Sequence, residues 1–372
     1  MTADYRALFM PCNQIYLLNH SVGRPPLSTE RAWKAAFIEP WQNHGDAVWP
    51  RWLEAIADFK AALAALLNDS ADNFSPQTNL SSALTKIIQS LPLLSPRDTI
   101  VYSEEDFPSI AFVLQQTQRL GYKLHAISAS ADTTELTTWD AAITSRTAFV
   151  LVTHVQSNSG CQVPVAGITA LVRERGAVSI VDVAQSVGVI PINLNHWSAD
   201  FVIGSCVKWL CGGPGAGFLW VRPELLPRCR PLDVGWFSHR NPFEFEIHNF
   251  EYSETADRFW GGTPSVQPFV VATNSLNTMR DVGIEKIRHH NLTLTEQLIT
   301  AIPETWLRSP RQPDKRGATV VVNAGENNAA IESALKDAGV LFDTRPSGFR
   351  LSPHIYNDSD DIAAAATAFA QN

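Results

Sequence analysis

Between Thr147 and Arg222 the chain alternates short, almost uninterrupted apolar runs with longer stretches whose apolar residues recur every three or four positions. TAFVLVTHV (147–155), VSIVDVA (178–184), ADFVIGSCV (199–207) and GAGFLWVR (215–222) are of the first kind. Such runs predict strands covered on both faces. VAGITALVRERGA (165–177) is of the second kind, and its basic end followed by Gly176 predicts a helix that stops there. Strand, helix and strand in alternation predict parallel crossovers. Upstream, SSALTKIIQSL (81–91) and SIAFVLQQTQRLG (109–121) read as helices, and DTIVYSEEDF (98–107) as a strand running into a turn.

The rhythm then changes. One long helical stretch is expected over 266–302, followed by the strand ATVVVNA, the helix NAAIESALKDAG, the strand GFRLSP and the helix SDDIAAAATAFA. The expected organisation is therefore α/β. Residues 1–50 form an arm rich in Trp, Pro and Asn that packs over other elements. Residues 51–255 form a large domain with a mainly parallel sheet sandwiched by helices, and residues 256–372 a smaller α+β domain. At 372 residues the chain is too long for one simple core.

Composition narrows the function. Hydrophobic residues make up 45% and charged residues 18%, as in a folded globular chain. A net charge of −8, without any run of Lys or Arg, argues against nucleic acid as a partner. The five cysteines include no C-x-x-C pair, so neither a disulfide framework nor a zinc site is indicated, and His289 and His290 lack a third ligand and read as solvated. With no signal-like start and no membrane-length apolar run, a cytoplasmic protein is expected. GGPGAG (212–217) fits neither the phosphate-loop nor the dinucleotide pattern, because a strand follows it.

Candidate chemistry collects at strand ends. Asp182 ends one apolar strand, Lys208 follows another, and Ser81 and Ser82 open a helix. Ligands of open α/β sheets bind at the carboxyl ends of strands, and a helix start with two hydroxyls suits an anion. An acid, a lysine and a phosphate site on one edge meet the needs of pyridoxal phosphate: a Schiff-base lysine, a carboxylate under the pyridine nitrogen and a grip on the phosphate. A covalently occupied lysine also explains why Lys208 sits among Cys, Val, Trp and Leu in GSCVKWLCGGPGAGFLW (204–220). Taken singly each feature has a plainer reading: a snorkelling lysine, a helix-capping Asp182, simple serine caps, a core Phe107, a surface pair of Arg350 with Asp343 or Glu251.

IYLLNHSVGRPP, NLSSAL, EDFPS, THVQSNSG, VDVAQSVG, the lysine segment, GWFSH, GGTPSV and FRLSPHIYN resemble, in order and over nearly the whole chain, the class V, fold type I pyridoxal-phosphate enzymes near kynureninase, cysteine desulfurase and the class V aminotransferases. The resemblance implies a Schiff base at Lys208, pairing of Asp182 with the pyridine nitrogen, and a hydrogen bond from Gln185 to the ring hydroxyl. It further implies stacking by Phe107, and phosphate contacts from Ser81, Ser82 and Ser205. Trp236 and Thr263 would reach the phosphate of a neighbouring subunit, implying a homodimer with shared sites. Arg350 would clamp the substrate carboxylate and His20 touch the substrate. Ser157 or Asn158 would lie near the ring hydroxyl.

The same resemblance shapes the expected reaction. The stretch DAGVLFDTRPSGFR has no cysteine where desulfurases carry theirs, so persulfide chemistry is not expected. Val207, Ile110, Gln185 and Thr263 depart from the kynureninase pattern. Transamination of an α-amino acid or amine is the first expectation, and kynureninase-like or other lyase chemistry the second. A catalytically silent scaffold is the third, against which Lys208, Asp182 and Arg350 count.

Overall fold

A computed structural model of the chain describes residues 5–93 and 96–370, so the extremities of the expected arm and C-terminal unit, residues 1–4 and 371–372, lie outside the described residues. The strands are β1 (Ile15–Tyr16), β2 (Phe74–Gln77), β3 (Thr99–Ser103), β4 (Lys123–Ile127), β5 (Thr147–Thr153), β6 (Val178–Asp182), β7 (Phe201–Ser205), β8 (Gly217–Val221), β9 (Val320–Val322), β10 (Val340–Leu341), β11 (Asp343–Arg345) and β12 (Gly348–Leu351). Seven of them form the main sheet in the order β2-β8-β7-β6-β5-β3-β4. From β7 through β4 the neighbours pair in parallel; β8 turns back antiparallel to β7, and β2 closes the edge antiparallel to β8. Pro76 lies in that edge strand, where a missing N–H is tolerated.

The apolar runs are continuous because both faces of the sheet are covered. Val150, Val152, Val181, Val202, Phe218 and Trp220 point to one core, shared with helices Val48–Leu67, Val165–Glu174 and Gln267–Val282. Phe149, Leu151, Ile180, Phe201, Ile203, Leu219 and Val221 alternate with them into a second core under helices Leu80–Ser90 and Pro108–Thr117. Each such side chain contributes about 1.5–3 kcal/mol on full burial, so the two-sided pattern dominates the stability of the strands that carry the site.

The C-terminal unit has its own core and a three-stranded antiparallel sheet, β11-β12-β9. Leu17 is buried in that core, and β1 pairs in parallel with β10, so the first segment is anchored to the last unit. The long helix expected over 266–302 is two helices, Gln267–Val282 and Ile284–Ala301. Gly283 breaks it with φ 94° and ψ 122°, a conformation open to glycine. No helix among the described residues is long and apolar enough to cross a membrane.

Candidate active site

The parallel strands deliver Thr153, Asp182 and Ser205 to one edge of the sheet, and the chain leaving Ser205 brings Lys208 to the same place. These residues line a cavity of about 220 Å³, together with Asn79, Leu80 and Ser81 at a helix start and with Phe107, Ser109, Ile110, Val155, Ser157, Ala184 and Gln185. It lies where open α/β sheets hold their ligands.

The Lys208 ammonium has no hydrogen-bonding or ion-pair partner among the described residues; it sits 5.7 Å from the centre of the Phe107 ring. Burial lowers its pKa to about 8; Asp182 opposes the shift, and Arg350 and Arg345 add to it. The Lys208 backbone is held tightly. Gly23 donates its N–H to the Val207 carbonyl at 2.8 Å. A Cβ at Gly23 would stand 2.1 Å from the Lys208 carbonyl oxygen, so the glycine of NHSVG is needed for this approach. Phe107 is 41% exposed, half-open over the lysine.

Asp182 is buried and its pKa is raised, by burial first, against the Ala184 N–H and the Lys208 charge. One carboxylate oxygen accepts from the Ala184 N–H at 2.8 Å; the other has no protein partner among the described residues. A buried acid with an open oxygen calls for a donor from a ligand. Together with an uncommitted amine and a helix start, this arrangement fits pyridoxal phosphate: a protonated pyridine nitrogen for Asp182, an aldehyde carbon for Lys208 and a phosphate for the helix.

Helix Leu80–Ser90 is capped by Asn79, whose side chain accepts from the Ser82 N–H at 2.9 Å. Ser81 lies in the cavity wall; Ser82 does not. Asn79 is thus both cap and wall, a role missed in reading the serines, although Asn directly before an apolar-periodic stretch is a standard cap signal. Ser205 is in the wall, and its hydroxyl accepts from the Val207 N–H at 3.4 Å. Gln185 donates to the His20 carbonyl at 3.1 Å and accepts from the Trp209 indole at 3.1 Å. One of its two amide hydrogens remains for a ligand. Ser157 lies in the wall and Asn158 outside it.

The remaining candidates are placed elsewhere. Arg350 is 3% exposed and forks onto Asp343, with Nη1 donating to the Ser157 carbonyl at 3.1 Å. His20 Nε2 bonds Asp343 Oδ1, the oxygen that also accepts from Arg350 Nε, at 2.9 Å. Trp236 packs against Trp49 and Phe245, with ring centres 6.1 and 6.0 Å away, and Thr263 is exposed; neither lines this chain's cavity. His289 is exposed and His290 donates to the Asn357 carbonyl. No group of His, Cys, Asp and Glu suited to a metal is found among the described residues.

The aminotransferase class-V family profile matches residues 54–364. The chain is 31% identical over 386 residues to a kynureninase of Deinococcus radiodurans, covering 99% of this chain and 92% of that one. It is 27% identical over 317 residues to the uncharacterized aminotransferase YcbU of Bacillus subtilis, covering 84% of each. The cystine C-S lyase C-DES, solved with its product cysteine persulfide, superimposes with a TM-score of 0.86 over 96% of this chain and 98% of that one at 20% identity, a likeness of fold.

Proposed function

The chain belongs to the aminotransferase class-V family, and from that premise we propose that it transfers the amino group of an α-amino acid at the Lys208 cavity. Pyridoxal phosphate is the cofactor, and when bound it would supply an electron sink for charge developing at the substrate Cα. The residues that would hold it are Lys208, Asp182 against the ring nitrogen, Gln185, Phe107, and Ser81 and Ser205 with the helix start; Ser82, Trp236 and Thr263 remain candidates at its phosphate end. Burial leaves Lys208 able to lose its proton near neutral pH, so its Nζ can take a proton at one carbon and return it at another. Asp182 would face the ring nitrogen and, as a carboxylate, would favour its protonation. Phe107, Ile110 and Val155 limit water around the amine. Arg350 is proposed as the clamp for the substrate carboxylate, with His20 behind it.

One observation carries transamination over its rivals. Among the described residues, Lys208 and Asp182 are the only ionisable side chains in the cavity wall; with Asp182 assigned to the cofactor nitrogen, a single base would remain. Moving a proton between two carbons needs one base; hydrolytic cleavage of a side chain needs further groups to activate water and protonate the leaving carbon. The likeness to a kynureninase favours a second reading, cleavage of kynurenine with release of alanine. Purified protein with pyridoxal phosphate, given a panel of L-amino acids and a 2-oxo acid acceptor, should form the acceptor's amino acid. Alanine released from kynurenine without any transfer would replace the first reading by the second, and absence of a visible cofactor band would remove both and favour a silent scaffold.

A homodimer with shared sites is part of the proposal. Phe243 and Phe245 (73% exposed) pack on Trp236, and Leu232, Ile247 (85% exposed) and Phe250 are exposed in the same stretch of chain, apolar side chains of the kind a subunit contact would cover. We place the protein in the cytoplasm, where its five unpaired cysteines would stay reduced.

A further inference from the structure

Resting on the reading of Arg350 as a carboxylate clamp, we propose that Asp343 and His20 are positioning residues that lock the guanidinium and leave part of it for the substrate.

A guanidinium has five N–H donors. Arg350 spends three of them: Nε donates to Asp343 Oδ1 at 2.7 Å, Nη2 to Asp343 Oδ2, and Nη1 to the Ser157 carbonyl at 3.1 Å. Two N–H groups remain, one on each terminal nitrogen, with no partner among the described residues. Asp343 takes the side of the fork that contains Nε, so the remaining donors belong to the terminal nitrogens. Ser157 belongs to the cavity wall, so its bond to Nη1 places that end of the guanidinium next to the cavity. A carboxylate already on the arginine therefore does not exclude a second one. It fixes the plane in which the second is received, and a fork held in plane loses less freedom on binding.

Asp343 cannot act as a latch that swings off. It is the direct cross-strand partner of Arg350 in the β11–β12 ladder, so the backbone hydrogen bonds that hold the hairpin also hold the pair in register. Its oxygens are fully engaged: Oδ1 also accepts from His20 Nε2 at 2.9 Å, and Arg345 Nε lies 3.3 Å from Oδ2. The His20 tautomer follows from these partners. An ionised carboxylate only accepts, so Nε2 carries the hydrogen. Nδ1 is then an acceptor, and the Ser352 hydroxyl, 2.6 Å away, must donate to it. Thr319 in turn lies 2.8 Å from Ser352 and supplies the next hydroxyl hydrogen. The result is a directed chain from Thr319 through Ser352, His20 and Asp343 to Arg350. It joins the N-terminal segment, β12 and β11 behind one guanidinium.

The test uses the cofactor-loaded enzyme and the change in its visible band on titration with L-alanine, an amino donor in transfer and a product in kynurenine cleavage. Ethylamine serves as the probe without a carboxylate. Wild type should bind L-alanine more tightly than ethylamine. Asp343→Asn and Asp343→Ala should keep the cofactor band, weaken L-alanine binding tenfold or more and leave ethylamine unchanged; Asp343→Glu should recover part of the loss, and His20→Gln should show a smaller loss of the same kind. Equal effects on both probes, no effect, tighter alanine binding in Asp343→Asn, or a wild type that does not prefer L-alanine would each overturn the proposal. Failure of wild type to form the visible band at all would instead strike the cofactor reading on which it rests.

Discussion

The cavity around Lys208 and the cluster around Arg350 share a composition: each joins a buried cation to a buried or half-buried carboxylate. They differ in how far those groups are satisfied. Among the described residues the Lys208 ammonium has no hydrogen-bond or ion-pair partner and Asp182 keeps an open oxygen, whereas both oxygens of Asp343 are taken by Arg350, His20 and Arg345. Folding normally pairs buried charge. A site left unpaired is one where a ligand completes the set, and a site closed on itself is one where geometry is being fixed. The direction of pKa change reports the same contrast. Burial raises Asp182, while hydrogen bonds from Arg350 and His20 overcome burial and hold Asp343 well below the usual carboxylate range.

The largest test of this contrast is Lys208→Ala. It should abolish the visible band formed with pyridoxal phosphate and lower turnover by about 10³-fold or more, since a positioned acid–base group alone is worth about 10²–10⁴. The apoprotein should fold as well as wild type, because an unpaired buried amine is removed. A variant that kept the band and the turnover would mean that Lys208 is an ordinary buried lysine. Asp182→Asn comes next. It should still take up cofactor but lose about 10²–10³-fold in turnover, the range seen when a fixed electrostatic partner is removed. A fall in cofactor affinity with turnover unchanged would show that Asp182 only anchors.

Gly23→Ala probes the contact by which the N-terminal segment holds the lysine loop. The added Cβ meets backbone, the Lys208 carbonyl, and cannot be relieved by turning a side chain. Overpacking of this kind costs about 1–3 kcal/mol, and the denaturation midpoint should fall accordingly. Turnover should fall with it, because the shift is transmitted to Lys208. Unchanged stability would show that the N-terminal segment can move off the lysine loop.

Much of the cavity was legible in the sequence because strand ends announce themselves. Asp182 terminates an apolar run and Lys208 interrupts one, and two-sided burial makes those runs continuous. The closed cluster was not legible as a unit. His20 and Asp343 stand 323 residues apart, and Thr319 and Ser352 look like ordinary strand hydroxyls. Only the folding of β1 onto β10 and of β11 onto β12 brings them together. The pairing of Arg350 with Asp343 was one of two partners open from sequence; what the sequence did not reveal is that such a pair leaves donors over. Asn79 was passed over for the neighbouring serines because a hydroxyl pair suggests phosphate, whereas the cap is set by which side chain stands just before the first turn. The break at Gly283 was hidden by helical spacing on both sides of it.

The smallest effect separates the two regions on the pH axis. His20 belongs to the closed cluster and, driven mainly by burial, keeps a pKa of about 4 against its ordinary 6.5; His354 does the same at about 4 and His154 at about 3. Between pH 6.5 and about 4 the unfolded chain therefore holds protons that the folded chain refuses, so stability falls as pH falls, by at most about 1.4 kcal/mol per pH unit for each histidine. Lys208 acts at the other end. Its folded pKa of about 8 lies below the ordinary 10.5, so between those values the unfolded chain again holds the extra proton at this group, and the Lys208 contribution to apoprotein stability climbs as pH rises; above pH 9 the buried thiols of Cys206 and Cys211, raised by burial, oppose it. Urea midpoints of the apoprotein from pH 4 to pH 9 should show both slopes. His20→Gln should flatten only the acid slope, and Lys208→Met only the alkaline one. A His20→Gln variant with an undiminished acid slope would mean that the histidine is already charged in the fold. The chain of hydrogen bonds behind Arg350 would then run in the opposite sense, with Nδ1 donating to Ser352, and the arginine would face a carboxylate shared with a second cation rather than one held by a neutral ring.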